Sequence, residues 1–253
     1  MTAPLFLVEP GTLDGVVPGD EVPLGGAEGR HAVQVRRVRP GERVDLADGA
    51  GVRVEAVVRR VLTDGGKPGP AVVVEVVARV EEAAPSPRLV LVQALAKGDR
   101  DVTAVETATE LGVDRLVPWQ AARSVVVWRG ERAAKAQKRW AAAAFAATKQ
   151  SRRARIPEVS DLVTTAGLCD LVAAAGLAVV LHERAERPLT AVQLPAAGDV
   201  LVVVGPEGGV ADDELDQLVA AGAVAVRLGP GVLRSSSAGP AALAVLSARS
   251  RWT

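Results

Sequence analysis

Cysteine is nearly absent. The 253-residue chain holds one, Cys169, which excludes a disulfide framework and a cysteine-based zinc site and fits a reducing compartment. Tyrosine is missing altogether, and two Phe and four Trp complete the aromatic set. That is too few for the stacked-aromatic platforms of single-strand binders. No run approaches 18 apolar residues, and MTAPLFLVEP lacks a basic segment ahead of an apolar one. Neither a membrane span nor a secretion signal is expected, so the reading is a soluble, cytoplasmic chain. What is present is a 49% apolar fraction, ample for a core without staples.

Net charge is also zero, but the charges are segregated. Residues 129 to 155 carry nine Lys/Arg against one acid, Glu131, and residues 30 to 43 carry five Arg against Glu42. The rest of the chain is correspondingly acidic. Two basic stretches in such a background point to a polyanionic partner.

The first 82 residues read as strands. VDLADG, VRVEAVVRRVL and AVVVEVVARV are separated by the turn signals DGAG and DGGKPGP, which predicts a small β-barrel or sandwich. EEAAPSPR (81–88) is the expected linker. From 88 to 253 strands alternate with helices. RLVLVQAL, RLVPWQ, LAVVLHE, VLVVVG and AVAVRLG are the strands; 101–113, 131–150, 212–222 and 237–250 are the helices. Val102, Val105, Ala108 and Leu111 form one apolar stripe on the first of these. That order predicts an α/β domain on a mostly parallel sheet, with ligands bound beyond the strands' carboxyl ends. Leu181-His182-Glu183, Gly205–Gly209 and 228–235 are three such strand exits.

The exit VLVVVGPEGGVADDELD (200–216) bears on the ligand. A phosphate cradle needs backbone N–H groups, a positive helix end and usually a Lys or Arg. Here Pro206 removes an N–H, Glu207 puts a carboxylate in the loop, and Asp212, Asp213 and Glu214 offset the helix dipole. The spacing G-P-E-G-G also differs from G-x-G-x-x-G. A neutral or cationic ligand lying against backbone fits better, and S-adenosylmethionine is one.

GPEGG after an apolar strand, followed by RLGPGVLRSSSAGPAAL, resembles the SPOUT class of knotted methyltransferases. With RHAVQVRRVRPGERVDLADG, QALAKGDR, ATELGVDRLVPWQAARSVV, QSRRARIPEV and LHE in order, nearly the whole chain resembles the RsmE family, which methylates N3 of a uridine in small-subunit ribosomal RNA. The resemblance implies an N-terminal PUA-like barrel for RNA (1–82) and a methyltransferase domain (88–253) with a C-terminal trefoil knot. It also implies a homodimer and 16S ribosomal RNA, within the small subunit, as substrate. The chain departs from the family where Leu233-Arg234-Ser235-Ser236-Ser237 replaces the usual L-R-T-E-T. A catalytic role for that acid therefore does not carry over. An N-terminal Arg is likewise replaced around Leu5 and Phe6.

On this reading the cofactor lies against Leu181, His182, Glu183, Gly205, Pro206, Glu207, Gly208, Gly209, Leu228, Gly229, Val232, Leu233, Arg234, Ser235 and Ser236. Arg234 is the expected catalytic cation, holding a uracil oxygen as charge develops. Glu207 is a proton acceptor or sulfonium partner, or else a carboxylate that stabilises its own loop. His182 is a convenient base or a packing residue. Arg30, Arg36, Arg37 and Arg39, with Arg152, Arg153 and Arg155, form the expected phosphate track, and Lys97 and Arg123 lie nearer the pocket. Three rivals remain: a SPOUT enzyme acting on transfer RNA or a ribose 2′-OH, a non-catalytic RNA-binding relative, and a nucleotide-dependent α/β enzyme.

Overall fold

In VRVEAVVRRVL and AVVVEVVARVE apolar and charged residues alternate, so each strand offers one face to a core and one to water. In the computed structural model, which describes residues 3–63 and 69–252, these become β4 (Val52–Leu62) and β5 (Ala71–Glu81), an antiparallel pair. With β1 (Leu5–Leu7), β2 (Glu21–Leu24) and β3 (Arg43–Ala47) they form a five-stranded sheet in the order β1-β3-β4-β5-β2. Phe6, Leu13, Val44, Leu46, Val54 and Val74 fill its core. Most of the turn expected at DGGKPGP, residues 64–68, lies outside the described residues.

Between β2 and β3, α1 (Gly26–Arg30) runs into a π-helical turn, His31–Arg36, that stops at Arg37 with φ of +53°. Gly29 lets α1 lie directly on the strands, because a Cβ there would meet the Leu24 carbonyl oxygen at 2.5 Å. Arg30, Arg36, Arg37 and Arg39 are all exposed on this connection.

The chain divides into two units, and the division is not a single cut. Residues Thr148–Ile156 group with Met1–Ala84, while Pro85–Ala147 and Pro157–Thr253 form the second unit. The QSRRARI stretch therefore belongs to the first. Ala154 is buried with Leu5, Leu7 and Ala47, the Gly51 N–H donates to the Ala154 carbonyl at 3.1 Å, and the Ile156 N–H donates to Gly49 at 2.9 Å.

The second unit is a parallel sheet in the order β12-β10-β11-β6-β7-β8, with β9 also on β7. Its strands are β6 (Arg88–Ala94), β7 (Arg115–Gln120), β8 (Glu158–Val159), β9 (Val163–Thr164), β10 (Leu177–Leu181), β11 (Asp199–Val204) and β12 (Val224–Val226). The near-continuous apolar runs of β6 and β11 are explained by burial on both faces. Leu89, Leu91, Val200 and Val202 face α2 (Arg100–Glu110), α3 (Glu131–Ser151) and α6 (Ser235–Ala248). Val90, Val92, Leu201 and Val203 face α4 (Thr165–Ala174) and α5 (Asp212–Ala220).

The last helix crosses the middle of this sheet through a glycine: a Cβ on Gly239 would meet Leu91 Cδ1 at 2.7 Å. Beyond α6, Arg251 donates to the Gly112 and Pro87 carbonyls at 2.7 Å each and pairs with Asp114. Asp114 in turn accepts from the Leu89 N–H at 2.7 Å. Among the described residues no helix is long and apolar enough to cross a membrane.

Candidate active site

The carboxyl ends of β10, β11 and β12 open into a cavity of about 610 Å³, within the roughly 300–1,000 Å³ span of small-molecule sites. Each wall is the exit of one strand. Leu181, His182 and Glu183 follow β10, Gly205–Gly209 follow β11, and Arg227 to Ser235 follow β12. Of the residues expected at a cofactor site, all line this cavity except Ser236, which sits half-buried on α6.

The β11 exit is folded by its own residues. Gly209, at φ +73°, donates its N–H back to the Pro206 carbonyl at 2.9 Å. Gly205 packs so closely on Val210 that a Cβ would lie 2.8 Å from its Cγ2. Glu207 does not stand bare in the cavity: its Oε1 accepts from the Lys97 N–H at 2.9 Å and from Arg100 Nη1 at 2.7 Å. Burial raises the Glu207 pKa, but its own backbone N–H, the Lys97 N–H and Arg100 outweigh that and hold the carboxyl below its ordinary value. A lowered pKa and two donors make it a poor proton acceptor.

On the other side Arg123 donates through Nη1 to the Gly208 carbonyl at 3.2 Å and more weakly to Val210 at 3.5 Å. A Cβ on Gly208 would come within 3.2 Å of Arg123 Cβ. Arg123 thus braces the β11 loop.

Two residues of this machinery were not singled out in the sequence. Arg100 lines the cavity and neutralises Glu207. Glu214, read only as one of three acids offsetting the helix dipole at the start of α5, is 3% exposed. Its Oε1 accepts from the Ala122 N–H at 2.8 Å and the Thr165 hydroxyl at 2.7 Å, and its Oε2 from the Ala211 N–H at 3.3 Å. It ties α5, α4 and the loop carrying Arg123 together. The spacing Ala211-x-x-Glu214, half of a capping box, was the available signal.

His182 is 8% exposed, and its Nδ1 accepts from the Arg184 N–H at 3.2 Å. That bond commits Nδ1 to the backbone of its own turn. Arg234 is the N-cap residue of α6; its carbonyl accepts from the Ser237 and Ala238 N–H groups at 2.8 and 2.9 Å. Its guanidinium is exposed and makes no ion pair among the described residues. Ser235, 9% exposed, has a buried Oγ with no partner among the described residues.

The residues expected on RNA fall into two groups. Arg30, Arg36, Arg37 and Arg39 are exposed, as is Lys97. Arg152 and Arg153 are half-buried in the first unit, and Arg155 is spent internally: its guanidinium donates to the Glu82 carbonyl and lies where a Gly51 Cβ would be.

Residues 83–247 match the family described as RNA methyltransferase domain, and residues 24–65 match RNA methyltransferase PUA domain. Ribosomal RNA small subunit methyltransferase E of Mycobacterium bovis is 44% identical over 257 residues, covering 100% of this chain and 94% of the relative. The Bacillus subtilis protein of the same name is 30% identical over 232 residues, 88% of each chain. The crystal structure of the Neisseria gonorrhoeae protein of that name, bound to S-adenosyl methionine, superposes with a TM-score of 0.83 at 27% identity, covering 100% of both chains. The chain belongs to the ribosomal RNA small subunit methyltransferase E family.

Proposed function

We propose that this chain transfers the methyl group of S-adenosylmethionine to N3 of a uridine in 16S ribosomal RNA, acting in the cytoplasm as a homodimer on the small subunit. The observation that carries the reading is the cavity at the β10–β11–β12 exits, in a chain of the methyltransferase E family. The cavity's residues fit this cofactor. Leu181, Val204, Leu228 and Val232 supply apolar walls. Gly229 and Gly231 have no protein atom within 4 Å of an added Cβ, and the orphaned Ser235 Oγ awaits a partner. Triphosphate fits less well: Pro206 and Glu207 take an N–H from the β11 loop and put a carboxylate in it, and Glu214 already caps α5.

When bound, S-adenosylmethionine supplies an electrophilic methyl group on a sulfonium. The protein's part is alignment, charge stabilisation and exclusion of water. Uracil N3–H is an acid of phenol-like strength. Attack by N3 requires that its proton first pass to a base or to solvent, and the imide anion so formed carries its negative charge on O2 and O4. Arg234, exposed at the start of α6 and without an ion pair among the described residues, is our candidate to hold one of those oxygens. Glu207, committed to Lys97 and Arg100, serves the loop instead. The exposed arginines on the α1–β3 connection support RNA contact by the first unit.

The C-terminal knot belongs to the same reading. It is supported by α6 returning from the edge strand β12 to pack on β6 and β11. An experimental backbone that straightens when drawn out from both ends would remove it.

The decisive experiment transfers labelled methyl from S-adenosylmethionine to small subunits lacking the modification, followed by nucleoside analysis. 3-Methyluridine is the expected product. A 2′-O-methyl nucleoside, or label only on transfer RNA, would replace the uridine N3 assignment. Sedimentation as a monomer at micromolar concentration would remove the dimer.

A further inference from the structure

We propose that the outward face of the first half of α3 is a binding surface for the phosphate backbone of the substrate RNA next to the target base. The inference rests on the RNA methyltransferase reading above and adds a surface to it.

Three cations, Arg132, Lys135 and Lys138, recur every third residue and are all exposed, so they share one side of the helix. The opposite side is anchored: Trp140, Ala143 and Ala144 are buried in the second unit's core, with Ala133 and Ala136 against it. The orientation of the cationic side is therefore set by packing. Glu131 is the only acid on α3, whereas ordinary solvated helix faces intersperse both signs. None of the three cations has an ion-pair partner among the described residues. Arg139, one turn further on, does have one.

That partner joins the stripe to the site. Arg139 Nη2 lies 2.6 Å from Asp99, and the next residue, Arg100, lines the cavity and holds Glu207. Lys97, two residues before Asp99, adds an exposed side chain without an ion-pair partner on the same loop. From Arg139 back to Arg132 is about 10 Å along the helix. Free positive charge thus begins at the rim of the cavity and continues away from it, where RNA flanking a docked base would run. Two carboxylates at the cavity end of this path, Asp99 and Glu207, are each paired with an arginine.

The test compares wild type, the triple variant Arg132→Ala/Lys135→Ala/Lys138→Ala, and the charge-keeping variant Arg132→Lys/Lys135→Arg/Lys138→Arg. Binding to small subunits lacking the modification is measured across a salt series, and S-adenosylmethionine binding by calorimetry. Losing three phosphate contacts should lower the slope of log K against log salt by about 2, which corresponds to roughly 50-fold weaker binding at 0.15 M salt. Cofactor affinity should stay within two-fold, and the charge-keeping variant should retain the wild-type slope. An unchanged slope in the triple-alanine variant overturns the proposal while leaving methyl transfer by this family member intact. Loss of the slope in the charge-keeping variant too would also overturn it, by pointing to helix structure rather than charge. Wild type that binds cofactor but not these subunits would overturn the parent reading, and this surface with it.

Discussion

Glu214 offers the sharpest test of how the site is held. In Glu214→Ala the Ala122 N–H and Thr165 hydroxyl lose acceptors at 2.8 and 2.7 Å, in a place where the carboxylate is 3% exposed. Hydrogen bonds to charged groups contribute about 1.5–3 kcal/mol each, so two give a loss of about 3–6 kcal/mol. For a unit of this size about 2–4 °C accompanies each kcal/mol, so Tm should fall on the order of 10 °C. In Glu214→Gln the amide oxygen keeps both acceptor roles, while its NH₂ now faces the Ala211 N–H. The loss should be only about 1–2 kcal/mol. Since the same carboxylate fixes the loop carrying Arg123, and Arg123 holds the Gly208 carbonyl, Glu214→Ala should also weaken S-adenosylmethionine binding about ten-fold, or 1.4 kcal/mol. Thermal unfolding and calorimetry read the two effects separately. A Tm within 2 °C of wild type for the alanine variant would refute the energetic reasoning. A lowered Tm with unchanged cofactor affinity would refute the link to the β11 loop.

Arg234→Ala should cut kcat about 10²-fold, with cofactor affinity within a few-fold, because only developing charge is unsupported; single-turnover methyl transfer at a near-normal rate would take Arg234 off the catalytic list. Glu207, whose folded pKa lies below its ordinary 4.5, contributes stability that is fully present above that value and lost as pH falls through the lower folded one. Glu207→Gln should therefore show a smaller loss of stability than wild type across the acid limb below pH 4.5, and parallel acid-unfolding curves would count against the ion pair with Arg100. Gly239→Ala places a methyl 2.7 Å from Leu91 Cδ1 and should cost about 1–3 kcal/mol through overpacking; a denaturation midpoint equal to wild type would mean α6 shifts freely on the sheet.

The sequence by itself determined the local layers of this protein. Alternation in β4 and β5, the doubly buried runs of β6 and β11, and the 3.6-residue stripe of α2 are short-range patterns, and each became the element it predicts. The turn at GPEGG was legible as well, and two of its glycines have local reasons: Gly209 closes a turn on Pro206, and Gly205 must clear Val210. What only the tertiary structure decided is where charges are spent. Glu207 could be a proton acceptor, a sulfonium partner or a carboxylate that stabilises its own loop, and Arg100, 107 positions away, favours the last. Glu214 could be read only as a helix-dipole acid until the Ala122 N–H, 92 positions away, was folded onto it. Arg155 looked like a phosphate contact until 148–156 joined the first unit and the Glu82 carbonyl took its guanidinium. Periodicity specifies which side of an element is apolar; it carries no information on which distant ion neutralises a given charge. Those pairings depend on loop closures across the whole sheet, and they separate a reactive side chain from one that holds its neighbours in place.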